Sequence, residues 1–274
     1  MTEIVKSILF GIVQGITEWL PISSTGHMII LDEFLALQFN EAFINTFLVV
    51  IQAGSILAVV VLFFDRLWPF GGKKDQQEKK ECWNLWFRIL VAAMPAAIIG
   101  IAFDELIDQH LYKSQVVALA LIVYGILFIV LESSRRRPKV TKLSELDYKT
   151  ALFIGLFQVL ALVPGTSRSG ATILGAIWLG CSRTVASEFS FVLAVPVMAG
   201  ASLLKLVKTG FSFSAMEWAV LLTGCLTAFA VSMAAIKFLL SFVRRHNFKV
   251  FGWYRIALGI AVLLLFWNTV FATP

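Results

Sequence analysis

The sequence predicts an all-α integral membrane protein: six transmembrane helices plus two re-entrant helical hairpins, arranged as inverted-topology repeats. Three observations predict it. Hydrophobic residues make up 59% of the 274-residue chain and charged residues only 15%, where a soluble domain carries about 25%. Six apolar runs have roughly the length of one bilayer crossing. Two further apolar segments are broken in the middle by Pro, Gly and hydroxyl residues, and the two breaks are copies of one another.

The composition excludes a water-soluble enzyme, a disordered chain and a disulfide scaffold. One soluble core does not need 24 Phe and 8 Trp, and at roughly 20 residues per crossing the chain is filled by its spans. It is read as one polytopic domain, 1–274. The net charge of +6 sits in short clusters between apolar runs and has no aromatic interleaving, so nucleic-acid binding is not expected. Cys82, Cys181 and Cys225 are scattered and form neither a disulfide framework nor a zinc pattern. Glu3 precedes the first run, Glu18 interrupts it and no small-residue cleavage site follows, so this segment is expected to stay in the mature protein.

The uninterrupted runs are 47–64, 85–103, 116–131, 189–207, 218–240 and 253–271. The broken segments are 4–37 and 151–179. Their breaks read Pro21-Ile22-Ser23-Ser24-Thr25-Gly26 and Pro164-Gly165-Thr166-Ser167-Arg168-Ser169-Gly170. Non-helical backbone at membrane depth is tolerated only where protein buries it or a wet cavity receives it. Each broken segment is therefore expected to be a hairpin of two half-helices. The competing arrangement is eight ordinary spans, which would place Glu18 and Arg168 inside full crossings.

A shift of 144 residues pairs Gly11 with Gly155, Gln14 with Gln158, Ser23 with Ser167, Thr25 with Ser169 and Gly26 with Gly170. The same shift sets Ser24 against Arg168 and His27 against Ala171. This is a repeat of half the chain, with repeat one at about 1–131, a linker at 132–149 and repeat two at about 150–274. Three crossings separate the hairpins, so the halves point in opposite directions, and broken helices in such repeats meet near the midplane.

With that topology the basic residues collect on one face. They include Arg66, Lys73, Lys74, Lys79, Lys80, Arg88, Arg135, Arg136, Arg137, Arg183, Arg244, Arg245 and Arg255. Lys6, Lys113, Lys205 and Lys208 lie opposite, near Asp104, Glu105 and Asp108. The bias makes the basic face cytoplasmic.

Chemistry is expected at the breaks. Gln14 and Glu18 are four apart and share a helical face. A charge such as Glu18 or Arg168 at the bilayer centre costs roughly 2.5–3.5 kcal/mol, which their attraction, or a bound cation and anion, would offset. A buried Glu–Arg pair that merely locks the hairpins is the bland alternative. Around them stand Ser23, Ser24, Thr25 and Gly26, and then Ser167, Ser169, Gly170 and Thr172. Hydroxyls here would cap a half-helix, and its free N–H groups favour an anion. Two facing helix N-termini and a guanidinium suit a phosphate or diphosphate. His27, beside a hydroxyl cluster and a carboxylate, suits acid–base or nucleophilic work. His110 and His246 lie in loops and look incidental.

Gln14-x-x-x-Glu18, Pro21-Ile22-Ser23-Ser24-Thr25-Gly26-His27 and Pro164-Gly165-Thr166-Ser167-Arg168-Ser169-Gly170-Ala171-Thr172 together closely resemble the bacterial undecaprenyl-diphosphate phosphatases, the family linked to bacitracin resistance. The first fits [E/Q]-x-x-x-E and the last P-G-x-S-R-S-x-x-T. Length, hydropathy and motif order match along the whole chain. The resemblance implies a membrane hydrolase of the bacterial cell membrane that converts undecaprenyl diphosphate to the monophosphate carrier of peptidoglycan synthesis. It also implies a divalent cation, Mg²⁺ or Ca²⁺, and a site open to the extracytoplasmic side. Gln14 stands where many members have Glu, leaving Glu18 as the anionic metal ligand beside substrate phosphates and water, which Mg²⁺ accepts.

In the resulting scheme Arg168 and the half-helix 167–172 bind the phosphates, and Glu18 with Gln14 positions the cation. Ser24 attacks with help from His27, or else His27 activates water or attacks directly. A polyprenyl-lipid transporter or flippase is the alternative from another class, because inverted repeats with broken helices are the transporter pattern. A phosphatidic-acid-type phosphatase is set aside, since no suitable His follows Arg168. The partners expected are the polyprenyl diphosphate and membrane lipids. A homodimer is open, because small residues at 92–100 can pack helices within or between chains.

Overall fold

The structure is a computed structural model that describes residues 2–72, 74–111, 113–134 and 137–266, without the side chains of residues 104, 105 and 108. Among the described residues the regular structure is helical, with an isolated bridge between Val140 and Cys181. The helices are α1 (Glu3–Thr17), α2 (Ser24–Leu35), α3 (Glu41–Leu62), α4 (Phe64–Leu67), α5 (Gln76–Leu111), α6 (Ser114–Ser133), α7 (Tyr148–Val159), α8 (Arg168–Trp178), α9 (Arg183–Thr209), α10 (Ala215–Val243) and α11 (Lys249–Leu265).

Five helical stretches are long and apolar enough to cross a bilayer: Glu41–Leu62, Gln76–Phe103, Ser114–Ser133, Arg183–Thr209 and Ala215–Val243. They contain four of the first five predicted runs, and Glu41–Leu62 covers the remaining one, 47–64, up to residue 62. Large apolar side chains such as Leu57, Ile98, Leu119, Leu203 and Leu226 are exposed on them, which in a helical protein of this hydropathy is a lipid-facing surface. The protein is a polytopic helical membrane protein. The sixth run is helical to Leu265 as α11, and its end lies outside the described residues. So do Lys73, Arg135 and Arg136, and the side chains of Asp104, Glu105 and Asp108.

The two broken segments are helix–turn–helix units. In the first, α1 ends at Thr17 and α2 starts at Ser24; in the second, α7 and a short 3₁₀ turn at Leu160–Leu162 lead to α8 at Arg168. Pro21 in the first turn and Pro164-Gly165 in the second keep the preceding helix from continuing, and a serine N-cap starts the second helix of each unit. Ser23 and Ser167 are the non-glycine residues with positive φ among those described, at 72° and 71°. Each accepts a hydrogen bond on its side chain, from Gly26 N at 3.3 Å and Gly170 N at 3.2 Å. A sparsely populated backbone of this kind costs roughly 1–3 kcal/mol. The same backbone thus occurs at two positions 144 residues apart.

The halves interlock. Helix α1 packs on α10, whereas α7 packs on α5, and α6 packs on α11. Glycines allow these approaches. A Cβ on Gly11 would lie 2.7 Å from Gly224 O, and one on Gly155 would lie 2.3 Å from Ala92 O. Gly125 and Gly252 meet reciprocally, each Cβ falling 2.7 Å from the other's carbonyl oxygen. Ala92 and Ala96 are buried within the chain, so the small-residue face at 92–100 is used at least partly inside the molecule. Gly125→Leu is expected to force α6 from α11 at a cost of at least about 1–3 kcal/mol, measurable as a lower unfolding temperature in detergent.

Two sequence expectations are corrected. His110, read as a loop residue, lies in the last turn of α5. Arg255, counted with the loop cations, has 0% exposure. It lies on α11 beneath the two turns, where its hydrogen bonds run to backbone of both broken segments.

Candidate active site

The turns converge on Glu18, the residue after α1, which is 6% exposed. One carboxylate oxygen, Oε1, accepts from Arg168 Nη2 at 3.0 Å. The other, Oε2, accepts from Gln14 Nε2 at 2.9 Å and from the Ser24 hydroxyl at 3.2 Å. Gln14 reaches Glu18 because the two lie one helical turn apart. Ser24 and Arg168 reach it because each opens the half-helix that follows a strained serine. The pair set opposite each other by the 144-residue shift therefore meets on one carboxylate.

A second layer holds Arg168. Its Nη1 donates to Ser190 O at 2.7 Å, its guanidinium carbon lies 5.5 Å from the centre of the Trp19 ring, and Met198 Sδ is 3.3 Å from Nη2. Thr172 Oγ1 and Ser190 Oγ are 2.7 Å apart. The Ser169 hydroxyl donates to Glu18 O at 2.9 Å, tying turn two to turn one. Ser23 and Ser167 act as caps, with Gly26 and Gly170 as their donors. Thr25 is half-buried in the first turn of α2.

His27 faces elsewhere. Its Nδ1 is 2.7 Å from Ser23 O, and its Nε2 is 2.7 Å from the Tyr254 hydroxyl. Both ring nitrogens are thus engaged, and the hydroxyl of Ser24 is turned to Glu18 rather than to the imidazole.

Arg255 stitches the turns together. Nη1 donates to Pro21 O at 3.2 Å, and Nη2 donates to Gly165 O at 2.9 Å and Thr166 O at 2.8 Å. Its guanidinium carbon lies 5.5 Å from the centre of the Tyr124 ring. Sequence reasoning missed Arg255, Tyr254 and Ser190. The signal for Arg255 was present: it is an arginine inside an apolar run, the same anomaly that marked Arg168. Tyr254 and Ser190 had no comparable signal, since a single Tyr or Ser in a span is ordinary.

Glu18 is the carboxylate in the cluster. Among the described residues no group of three or more His, Cys, Asp or Glu is placed to hold a metal ion. A hard cation here would have Glu18, with the side-chain amide oxygen of Gln14 beside it, as its protein donors. Such a small oxygen set fits a cation that keeps water and takes phosphate oxygens.

A buried carboxylate thus meets a hydroxyl and a guanidinium that each open a half-helix, inside a polytopic helical membrane protein. Comparison with known proteins is specific. The family model described as bacitracin resistance protein BacA matches residues 7–261, and the chain belongs to that family. It is 57% identical over 266 residues to undecaprenyl-diphosphatase 1 of Clostridioides difficile (strain 630), covering 97% of each chain. It is 56% identical to the undecaprenyl-diphosphatase of Acetivibrio thermocellus, over 97% of this chain and 98% of the other. One from Enterococcus faecalis is 56% identical, over 96% of this chain and 97% of that one.

Proposed function

We propose that the protein hydrolyses undecaprenyl diphosphate to undecaprenyl phosphate and inorganic phosphate, recycling the lipid carrier of peptidoglycan synthesis and so supporting bacitracin resistance. The observation that carries the reading is the Ser24 hydroxyl hydrogen-bonded to a buried carboxylate whose other oxygen holds Arg168. A carrier needs groups that bind; a hydroxyl paired with a base is what phosphoryl transfer needs.

In the proposed reaction the terminal phosphate displaces Glu18 from Arg168 and lies against the N-terminus of α8. The N–H groups there and the guanidinium stabilise the charge on its equatorial oxygens. Ser24 Oγ attacks the terminal phosphorus while Glu18 takes its proton. The bridging P–O bond breaks, and undecaprenyl phosphate leaves with that bond's electron pair. Glu18 passes that proton to the departing undecaprenyl phosphate. Water then attacks the phosphoserine as Glu18 takes a proton from the water. The phosphorus–Ser24 bond breaks, and Glu18 returns the proton to Ser24 Oγ, so that inorganic phosphate departs and the hydroxyl is restored. Glu18 and Gln14 are the residues that would hold a divalent cation, Mg²⁺ or Ca²⁺. When bound it would neutralise diphosphate charge. His27, with both nitrogens engaged, is assigned to positioning rather than attack.

The proposed topology is the six crossings and two re-entrant hairpins of the sequence reading, with repeats at about 1–131 and 150–274 joined by 132–149. The interlocked packing of α1 on α10 and α7 on α5 supports it, because two halves related by a two-fold exchange these partners. The basic loops are placed in the cytoplasm of a bacterial cell whose plasma membrane holds the chain, and the site is assigned to the extracytoplasmic side.

The test is phosphate release by the protein purified in detergent. Undecaprenyl diphosphate is expected to yield inorganic phosphate, and a chelator is expected to abolish the release until Mg²⁺ or Ca²⁺ is restored. No release, together with lipid movement in reconstituted vesicles, would favour the transporter.

A further inference from the structure

We propose that Tyr254 is a positioning residue for the hydrolysis: its hydroxyl holds the His27 ring in one orientation, and through His27 it fixes the peptide that carries Ser24. The inference rests on the reading of Ser24 as the attacking group.

The geometry starts at the Ser23 carbonyl, 2.7 Å from His27 Nδ1. A carbonyl only accepts, so in the neutral ring Nδ1 carries the proton and Nε2 the lone pair. The Tyr254 hydroxyl lies 2.7 Å from that lone pair and donates to it. The other tautomer would oppose two lone pairs at Ser23 O. Ser23 O therefore selects the tautomer, and Tyr254, whose hydroxyl could equally accept, fixes the orientation of the ring. The rings lie nearly parallel, 8° apart in plane, with centroids 5.6 Å from each other, so the hydroxyl is held in place by more than one contact.

The Ser23 carbonyl belongs to the peptide joining Ser23 to Ser24. That peptide follows a strained φ of 72° and is not set by a relaxed backbone. Anchoring its oxygen fixes the direction in which Ser24 leaves the turn, and hence its 3.2 Å hydrogen bond to Glu18. The second repeat is an internal control. There Ser167 has the same φ, but the residue matching His27 is Ala171, whose backbone N–H donates to Ser167 O at 2.9 Å. That half presents Arg168, a long side chain that Ser190 and Glu18 orient at its tip. Among the described residues the imidazole and its tyrosine brace only the turn whose functional group is a short hydroxyl, which its own backbone must aim. Arg255, the next residue on α11, holds Pro21 O of the same turn, so consecutive residues of α11 brace it from both sides.

The test uses full-length protein and Tyr254→Phe, which keeps the ring and removes the hydroxyl. Loss of one hydrogen bond is expected to lower kcat for phosphate release roughly threefold to tenfold, with KM nearly unchanged. In a His27→Gln background the same substitution is expected to have almost no further effect, because Tyr254 acts through His27. Nitrogen NMR of labelled histidine is expected to show His27 protonated at Nδ1 in both proteins, with the Nε2 resonance displaced in Tyr254→Phe because that nitrogen loses its hydrogen bond. Three results would each overturn the proposal: wild-type kcat in Tyr254→Phe, an equal loss in the His27→Gln background, or an unchanged Nε2 resonance. Failure of the wild-type protein to release phosphate would instead defeat the hydrolase reading, and the NMR measurement, which needs no turnover, separates the two.

Discussion

Ser24→Ala is expected to lower kcat for phosphate release by at least about a thousandfold, as loss of an attacking side chain does in enzymes that form a covalent intermediate, while substrate affinity changes little. Affinity is retained because the groups that hold the phosphates, Arg168 and the N-terminus of α8, are untouched. The fold is retained because Glu18 keeps Gln14 and Arg168 as donors at 2.9 and 3.0 Å. The same substitution separates the two chemical routes. With substrate labelled in its terminal phosphate, rapid denaturation is expected to trap label on the wild-type chain and none on the variant. Near-normal turnover by Ser24→Ala would rule out attack by Ser24 and return the reaction to water or His27. Glu18→Gln is a poorer probe. It removes the base, but it also leaves Arg168 without its carboxylate in a buried site, where breaking an ion pair costs about 3–5 kcal/mol. Its activity loss would mix chemistry with stability.

The sequence made the site legible wherever a residue stood out against its surroundings. Glu18 and Arg168 are charges in apolar segments, and they proved to be partners. Ser23 and Ser167 stand at matching places in a repeat, and they share a positive φ that no rule of composition would assign to serine. What stayed hidden depended on directions rather than identities. On sequence, Ser24 lies near both Glu18 and His27; only the backbone of the turn decides that its hydroxyl goes to Glu18. Arg255 was misplaced for a different reason. It follows Lys249 closely and was grouped with the loop cations, because position along a helix does not reveal which face meets a neighbour. The length of α5, from Gln76 to Leu111 with non-helical φ/ψ at Phe103, was equally unreadable. Its first turns are polar and carry no hydropathy signal, yet they remain helical.

Arg255→Met is expected to lower stability by about 3–5 kcal/mol and to reduce turnover even below the unfolding transition. Among the described residues no carboxylate lies within ion-pair distance of Arg255. Its charge is offset by carbonyl oxygens of both turns and by the Tyr124 ring. A methionine fills much of the same volume but leaves Pro21 O, Gly165 O and Thr166 O without that donor, at roughly 1–3 kcal/mol for each oxygen that water cannot reach. The loss of activity has a separate origin. Pro21 and Thr166 flank the residues that place Glu18 and Arg168, and a guanidinium bridging the two turns fixes the spacing of that pair. Lysine tests this point. Its single ammonium cannot present two nitrogens in a fixed fork, so it can satisfy one turn but not span both. Arg255→Lys is therefore expected to recover part of the stability and little of the turnover. Thermal unfolding in detergent gives the first quantity, and phosphate release at a temperature where all three proteins are folded gives the second. If Arg255→Lys regained full activity, a buried positive charge would suffice and the bridging geometry would be irrelevant. If Arg255→Met kept both stability and activity, the turns would be held together by the Ser169 hydroxyl and packing alone.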